Sequence, residues 1–184
     1  MKFESNFLDK LATTLFVMVL LSLASYAQNN KEKDRIAKCE ETKAAFIKSN
    51  QKMQGLFDKA YGYAIFPGIG KGAVGVGGAH GDGVLFKGGK PMSRASMSQV
   101  TVGFQLGGQS YMEAVLFQDE RAYNNFVEGK LKLAAQASAV AVTEGASLDA
   151  PYNDGVGIFT MVKGGLMYEA SVGGQKFSVN EWKN

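Results

Sequence analysis

The sequence predicts an α+β protein. Its strongly curved antiparallel sheet, a partial or closed barrel of about seven or eight strands, carries a long N-terminal helix and one short helix. Three observations predict this. Residues 29–54 are charged, free of glycine and apolar at three- and four-residue spacings. From Tyr61 to Phe86 glycines are threaded through short apolar stretches, which no helix tolerates, since each costs roughly 1 kcal/mol relative to alanine. Beyond Gln99 the apolar residues repeat with period two, interrupted by Gly-Gly pairs.

Taken in order, the chain opens with Lys2 and Lys10, then the apolar run LATTLFVMVLLSLA, then Ser25-Tyr26-Ala27. This is the pattern of a signal peptide, because the apolar core is shorter than the roughly 20 residues a spanning helix needs and small residues follow it. Cleavage after Ala27 is expected, leaving 28–184 as a single domain, exported to the periplasm or secreted and peripheral to a membrane. Glu4 and Asp9 offset the two lysines, so an uncleaved anchor is the alternative reading.

In the helix expected over about 29–54, Ile36, Cys39, Phe46, Ile47 and Met53 form a thin apolar stripe interrupted by Lys43 and Asn50. One face packs on a sheet; an interfacial helix lying on lipid is the alternative. The glycine-rich β core then fills about 55–184. Gly81-Asp82-Gly83 reads as a turn, with His80 beside it. Val100, Val102, Phe104 and Leu106 alternate with polar partners, as do Tyr111, Glu113, Val115 and Phe117 with theirs, so the two runs are expected to pair as a hairpin at Gly107-Gly108. Asp119 is a cap for a short helix reaching about Glu128. Residues 131–142 are read as a strand. Val156–Val162, Leu166–Val172 and Phe177–Val179 are read as a three-stranded meander.

The formal net charge of +3 is a mild bias, short of the clustered basic footprint of a nucleic-acid binder. Gly70-Lys71-Gly72-Ala73-Val74-Gly75 satisfies the dinucleotide fingerprint, but more glycines follow where a helix is required. A single histidine supports no multi-histidine metal site, and no nucleophile elbow marks a serine, so neither metal, cofactor nor catalytic residues are expected. The sole cysteine, Cys39, is read as a half-buried helix residue, with an intermolecular link as the alternative. Tyr61, Tyr63, Phe66, Phe86, Phe104 and Phe117 are core residues, or line an apolar cavity if the sheet closes. Lys71, His80, Lys87, Lys90 and Arg94 are the candidate site: a cationic rim for an anionic lipid head group, beside amides exposed by glycine turns.

The wording of the glycine block is itself distinctive. Phe66-Pro67, Gly70-Lys71-Gly72, Gly77-Gly78-Ala79-His80-Gly81 and Gly83-Val84-Leu85, followed by GFQLGGQSYMEAVLF (103–117) and KGGLMYEASVGGQKF (163–177), resemble the SYLF lipid-binding domain family. The resemblance covers about Gly55 onward. It implies a non-enzymatic, membrane-associating module, since eukaryotic members bind phosphoinositides and some bind actin; it brings no catalytic residues. The leading expectation is therefore binding of anionic membrane lipid. A protein-interaction or envelope-scaffold module is the alternative, and a small hydrolase centred on His80 the second alternative. Nucleic acid is not an expected partner, and the sequence leaves the oligomeric state open.

Overall fold

The computed structural model describes residues 2–72, 76–102, 109–131, 139–141, 152–162, 165–169 and 174–182. Helix α1 runs Lys2–Ser49, through the expected cleavage point, and the chain divides into two units, Met1–Arg35 with Asn184, and Ile36–Lys183. In the first unit Phe16, Val17, Met18 and Val19 are exposed. Among the described residues no helix is long and apolar enough to cross a membrane.

The second unit mixes helices and strands around one antiparallel sheet. After the end of α1 come helix α2 (Lys52–Lys59) and strands β1 (Gly62–Gly72), β2 (Val76–Lys87), β3 (Lys90–Val102) and β4 (Gln109–Phe117). Helix α3 (Glu120–Val127) and strands β5 (Ala139–Ala141), β6 (Val156–Val162), β7 (Gly165–Glu169) and β8 (Gln175–Asn180) follow. The sheet order is β5-β7-β6-β4-β1-β2-β3-β8. No pairing joins β5 to β8 among the described residues, so the sheet is not closed, which removes the closed-barrel alternative.

It is nevertheless curled. Neighbouring strands lie about 4.8 Å apart, so β4 and β8, four positions apart, would be separated by roughly 19 Å in a flat sheet. Yet the Gln175 amide donates to the Glu113 carboxylate at 2.9 Å. The Phe66 and Phe177 rings, three strand positions apart, sit 5.8 Å centre to centre. The sheet folds over one face and brings its β8 edge back above β4.

That concave face holds one core, built from Phe66, Val115 and Phe117 of the sheet, Tyr123 and Phe126 of α3, and Phe177 of β8. The convex face holds another, in which Cys39, Phe46, Met53 and Phe57 cover Tyr63, Ile65, Phe86 and Leu116. Strand β1 is thus buried on both sides, which is why residues 63–66 are continuously apolar rather than alternating.

The thin helical stripe is completed by polar residues. Thr42 is buried and back-bonds to the Lys38 carbonyl at 2.8 Å. The Lys43 ammonium donates to the Tyr63 hydroxyl at 3.0 Å and lies 4.9 Å from that ring's centre and 5.4 Å from that of Phe57. Cys39 is fully buried, its thiol donating to the Ile65 carbonyl, which corrects the half-buried expectation and takes the sulfur out of reach of an intermolecular link. Helicity breaks at Asn50, whose side-chain oxygen accepts from the Lys52 amide at 3.0 Å, so the expected helix over 29–54 ends early and α2 follows. The first strand starts at Gly62, at the head of the glycine-rich run from Tyr61 that is expected to be extended.

Three expected turns and pairings are corrected. Gly81-Asp82-Gly83 is interior to β2; these glycines serve close approach, because β1 shifts register between Ile65 and Ile69 and presses on them. A Cβ on Gly81 would fall 2.6 Å from Ile69 Cγ1, and one on Gly83 would overlap the Ile65 carbonyl oxygen. Second, β3 and β4 do not pair: β4 lies between β1 and β6, and residues 103–108, with Phe104 and the Gly107-Gly108 pair, lie outside the described residues. Third, β6 and β7 pair as a hairpin, but β8 leaves them to pair with β3 at the far edge.

Asp119 caps α3 as expected: it is extended at φ −141, ψ 173, and its carboxylate accepts from the Ala122 amide at 2.8 Å. Asp119→Ala is expected to cost about 1 kcal/mol, read as a lowered urea midpoint with unchanged slope.

Candidate functional site

The five basic residues singled out in the sequence lie on or beside β2. Their placement follows from pleat and length. Successive residues of a strand face opposite sides, and each adds roughly 3.3 Å. In β2, Val84 and Phe86 point to the convex core while Ala79 and Leu85 point to the concave one. His80 therefore shares the convex row with Val84, and Arg94, paired with Val84, joins that row. Lys87 belongs to the concave row. Lys71 pairs with Ala79 and Gln109, which puts its register position in the concave row as well; its side chain lies outside the described residues. His80 and Lys87 are seven residues apart, roughly 23 Å along the strand. The five do not converge on one point.

They separate into two places. At one, His80 is exposed (68%) beside Asp82 (57%), with Nε2 3.9 Å from the carboxylate. Across the register stand Ser98, Ser96 and, from β8, Lys176 and Ser178, with Ser96 and Ser178 hydroxyls 2.7 Å apart. This is an open polar sheet face. Among the described residues no group of three or more His, Cys, Asp or Glu is placed to hold a metal.

At the other, Lys87 and Lys90 face each other across Gly88-Gly89. Both glycines have positive φ (55° and 75°), as a two-residue primed hairpin turn requires. Both lysines are exposed. The Lys87 ammonium lies 4.7 Å from the centre of the Tyr61 ring and 5.5 Å from that of Tyr123. A hydrogen bond to Tyr61 raises Lys87 above the usual lysine range, with Glu120 and Tyr123 adding to it. Burial raises the Tyr123 phenol, against the pull of Lys87. The lysine is thus held charged and aimed. Just beyond the turn β3 carries an extra residue: Phe86 pairs with Pro91 but Leu85 with Ser93, and the intervening Met92 is 47% exposed.

Sequence reasoning missed Tyr61 and Tyr123 as partners of Lys87, and missed Met92 altogether. The Lys-Gly-Gly-Lys string was the available signal, a turn dipeptide between two strand-like runs. The aromatics expected in the core are there, divided between its two halves: Tyr63 and Phe86 stack at 5.0 Å in the convex core, Phe66 and Phe117 belong to the concave one, and Phe104 lies outside the described residues. The dinucleotide fingerprint is set aside by geometry, since β2, a strand antiparallel to β1, begins at Val76 where a helix would be needed.

No family model matches the chain. It is similar to Beta cell expansion factor A of Aeromonas veronii, 32% identical over 128 residues, which is 68% of this chain and 48% of that protein. The chain thus spans about half the length of the curated relative it matches.

Proposed function

We propose that this chain is a non-catalytic module of the SYLF type that associates with anionic lipid at a membrane surface. The ordered glycine-rich blocks and the curled antiparallel sheet support this reading. In the same reading residues 1–27 are a cleaved leader, the protein is exported, and the helix from Asn29 with the strands of the glycine-rich core forms one domain. The observation that carries it is charge segregation: from Gly83 to Met112 the chain has Lys87, Lys90 and Arg94 and no Asp or Glu. Two of these cations stand exposed at the hairpin tip.

A lysine near an anionic lipid surface contributes about 1 kcal/mol, so the Lys87→Gln/Lys90→Gln double variant is expected to bind phosphatidylglycerol vesicles roughly thirtyfold more weakly. Pelleting should also fall with added salt, since charge attraction is screened over about 8–10 Å at physiological ionic strength. Equal pelleting with phosphatidylcholine and phosphatidylglycerol vesicles would overturn the reading.

A protein-interaction role has one observation in its favour, the outer edge of β8, which pairs with β3 alone among the described residues and offers a place for strand addition. One stoichiometric partner captured without lipid would favour it.

A further inference from the structure

We propose that the β2–β3 hairpin is the element that enters the membrane interface, with Met92 in the acyl boundary and Lys87 and Lys90 at the level of the head groups. The inference rests on the lipid reading above and assigns it a specific contact. Three independent features meet at this tip. The first is shape: two positive-φ glycines close the shortest hairpin loop, so the tip is narrow and its geometry fixed. The second is the bulge. The extra residue in β3 leaves Met92 out of the pairing and turns a flexible apolar side chain toward solvent. In this unit the only other large hydrophobic side chain so exposed among the described residues is Val127.

The third feature is chemistry around the turn. Lys87 sits over the rings of Tyr61 and Tyr123, and tyrosines with a polar tip and an apolar body suit the boundary between water and hydrocarbon. Cations flanking an apolar residue match an anionic bilayer, where the ammonium groups meet phosphate and the thioether meets acyl chains. A nucleic acid or acidic peptide would use the lysines and leave Met92 in water. Glu120 is the acidic group that acts on Lys87, and Lys90 stands exposed across the turn.

The test uses the full chain carrying a single introduced cysteine, Met92→Cys, labelled with an environment-sensitive fluorophore. Cys39 is fully buried and does not compete for the label in the folded protein. Ser98→Cys is the comparator: it is exposed on the same strand, six residues and roughly 20 Å further along, beyond the roughly 5–10 Å depth of an interfacial element. With phosphatidylglycerol vesicles the probe at 92 is expected to brighten severalfold, shift to the blue and be quenched by lipid-borne spin labels, while the probe at 98 keeps its aqueous spectrum. Met92→Ser should weaken vesicle pelleting about tenfold, the loss expected when one large side chain is no longer buried. If the protein pellets with anionic vesicles but the probe at 92 stays aqueous, the hairpin assignment fails and the lipid reading stands. If it does not pellet with them, both fail.

Discussion

Replacing Gly83 by alanine is expected to lower stability by about 3 kcal/mol, the upper end of what overpacking a filled interior costs. The added methyl would overlap the Ile65 carbonyl oxygen and lie 2.8 Å from the Phe66 ring. Backbone cannot yield as a flexible side chain can, so the register shift of β1 across Gly83 would have to reorganise. Gly70→Ala is the control. It lies in the same glycine-rich block, yet nothing stands within 4 Å of its would-be Cβ, and its change should stay within about 0.5 kcal/mol. Urea denaturation followed by circular dichroism separates the two. Equal midpoints would mean that the bulge does not press on β2 as described.

The second large effect belongs to Phe126. Its side chain is fully buried, with ring centres 4.8 Å from Phe117 and 5.0 Å from Phe177, so it ties α3 to β4 and to the β8 edge. Phe126→Ala is expected to cost about 3–5 kcal/mol, a large part of the roughly 5–15 kcal/mol that holds a domain together. The neighbouring Val127 is 39% exposed, and Val127→Ala should be nearly silent. If both variants melt together, Phe126 does not close the concave core.

The residues whose structural role is decided locally were legible in advance. Asp119 caps a helix because its short carboxylate reaches an amide three residues on, a relation contained within one turn. Glu113 fell into the apolar row of Tyr111, Val115 and Phe117, and it is indeed buried in that row, answered by Gln175. What depended on distant segments was not legible. Gly107-Gly108 has the same composition whether a strand doubles back or departs for another part of the sheet. Nothing near Phe177 announces that β8 will pair with β3 rather than continue from β7. Gly81-Asp82-Gly83 looks like a turn because glycine is chosen both for positive φ and for room; only the neighbouring strand decides between them.

The candidate site divides along the same line. Five basic residues close in sequence seemed one rim, but an extended strand spreads them over roughly 23 Å and the pleat sends alternate positions to opposite faces. The pair that does meet, Lys87 and Lys90, meets because a two-glycine loop folds the strand back on itself. Its aromatic and apolar neighbours come from elsewhere: Tyr61 precedes β1, Tyr123 lies on α3, and Met92 is turned outward by a bulge that composition does not reveal.

The route taken by β8 carries a kinetic cost. Ser96 and Ser178, joined side chain to side chain, are 82 residues apart in the chain, and Glu113 and Gln175 are 62 apart. Encounters across such separations are rare in a disordered polymer, so this protein should refold on the slow millisecond-to-second scale of topologies built on remote pairing. Until that last strand arrives, Phe66 and Phe126 stand uncovered. Newly made chains are then at their most adhesive, because the apolar faces that β8 will cover are still open to other chains.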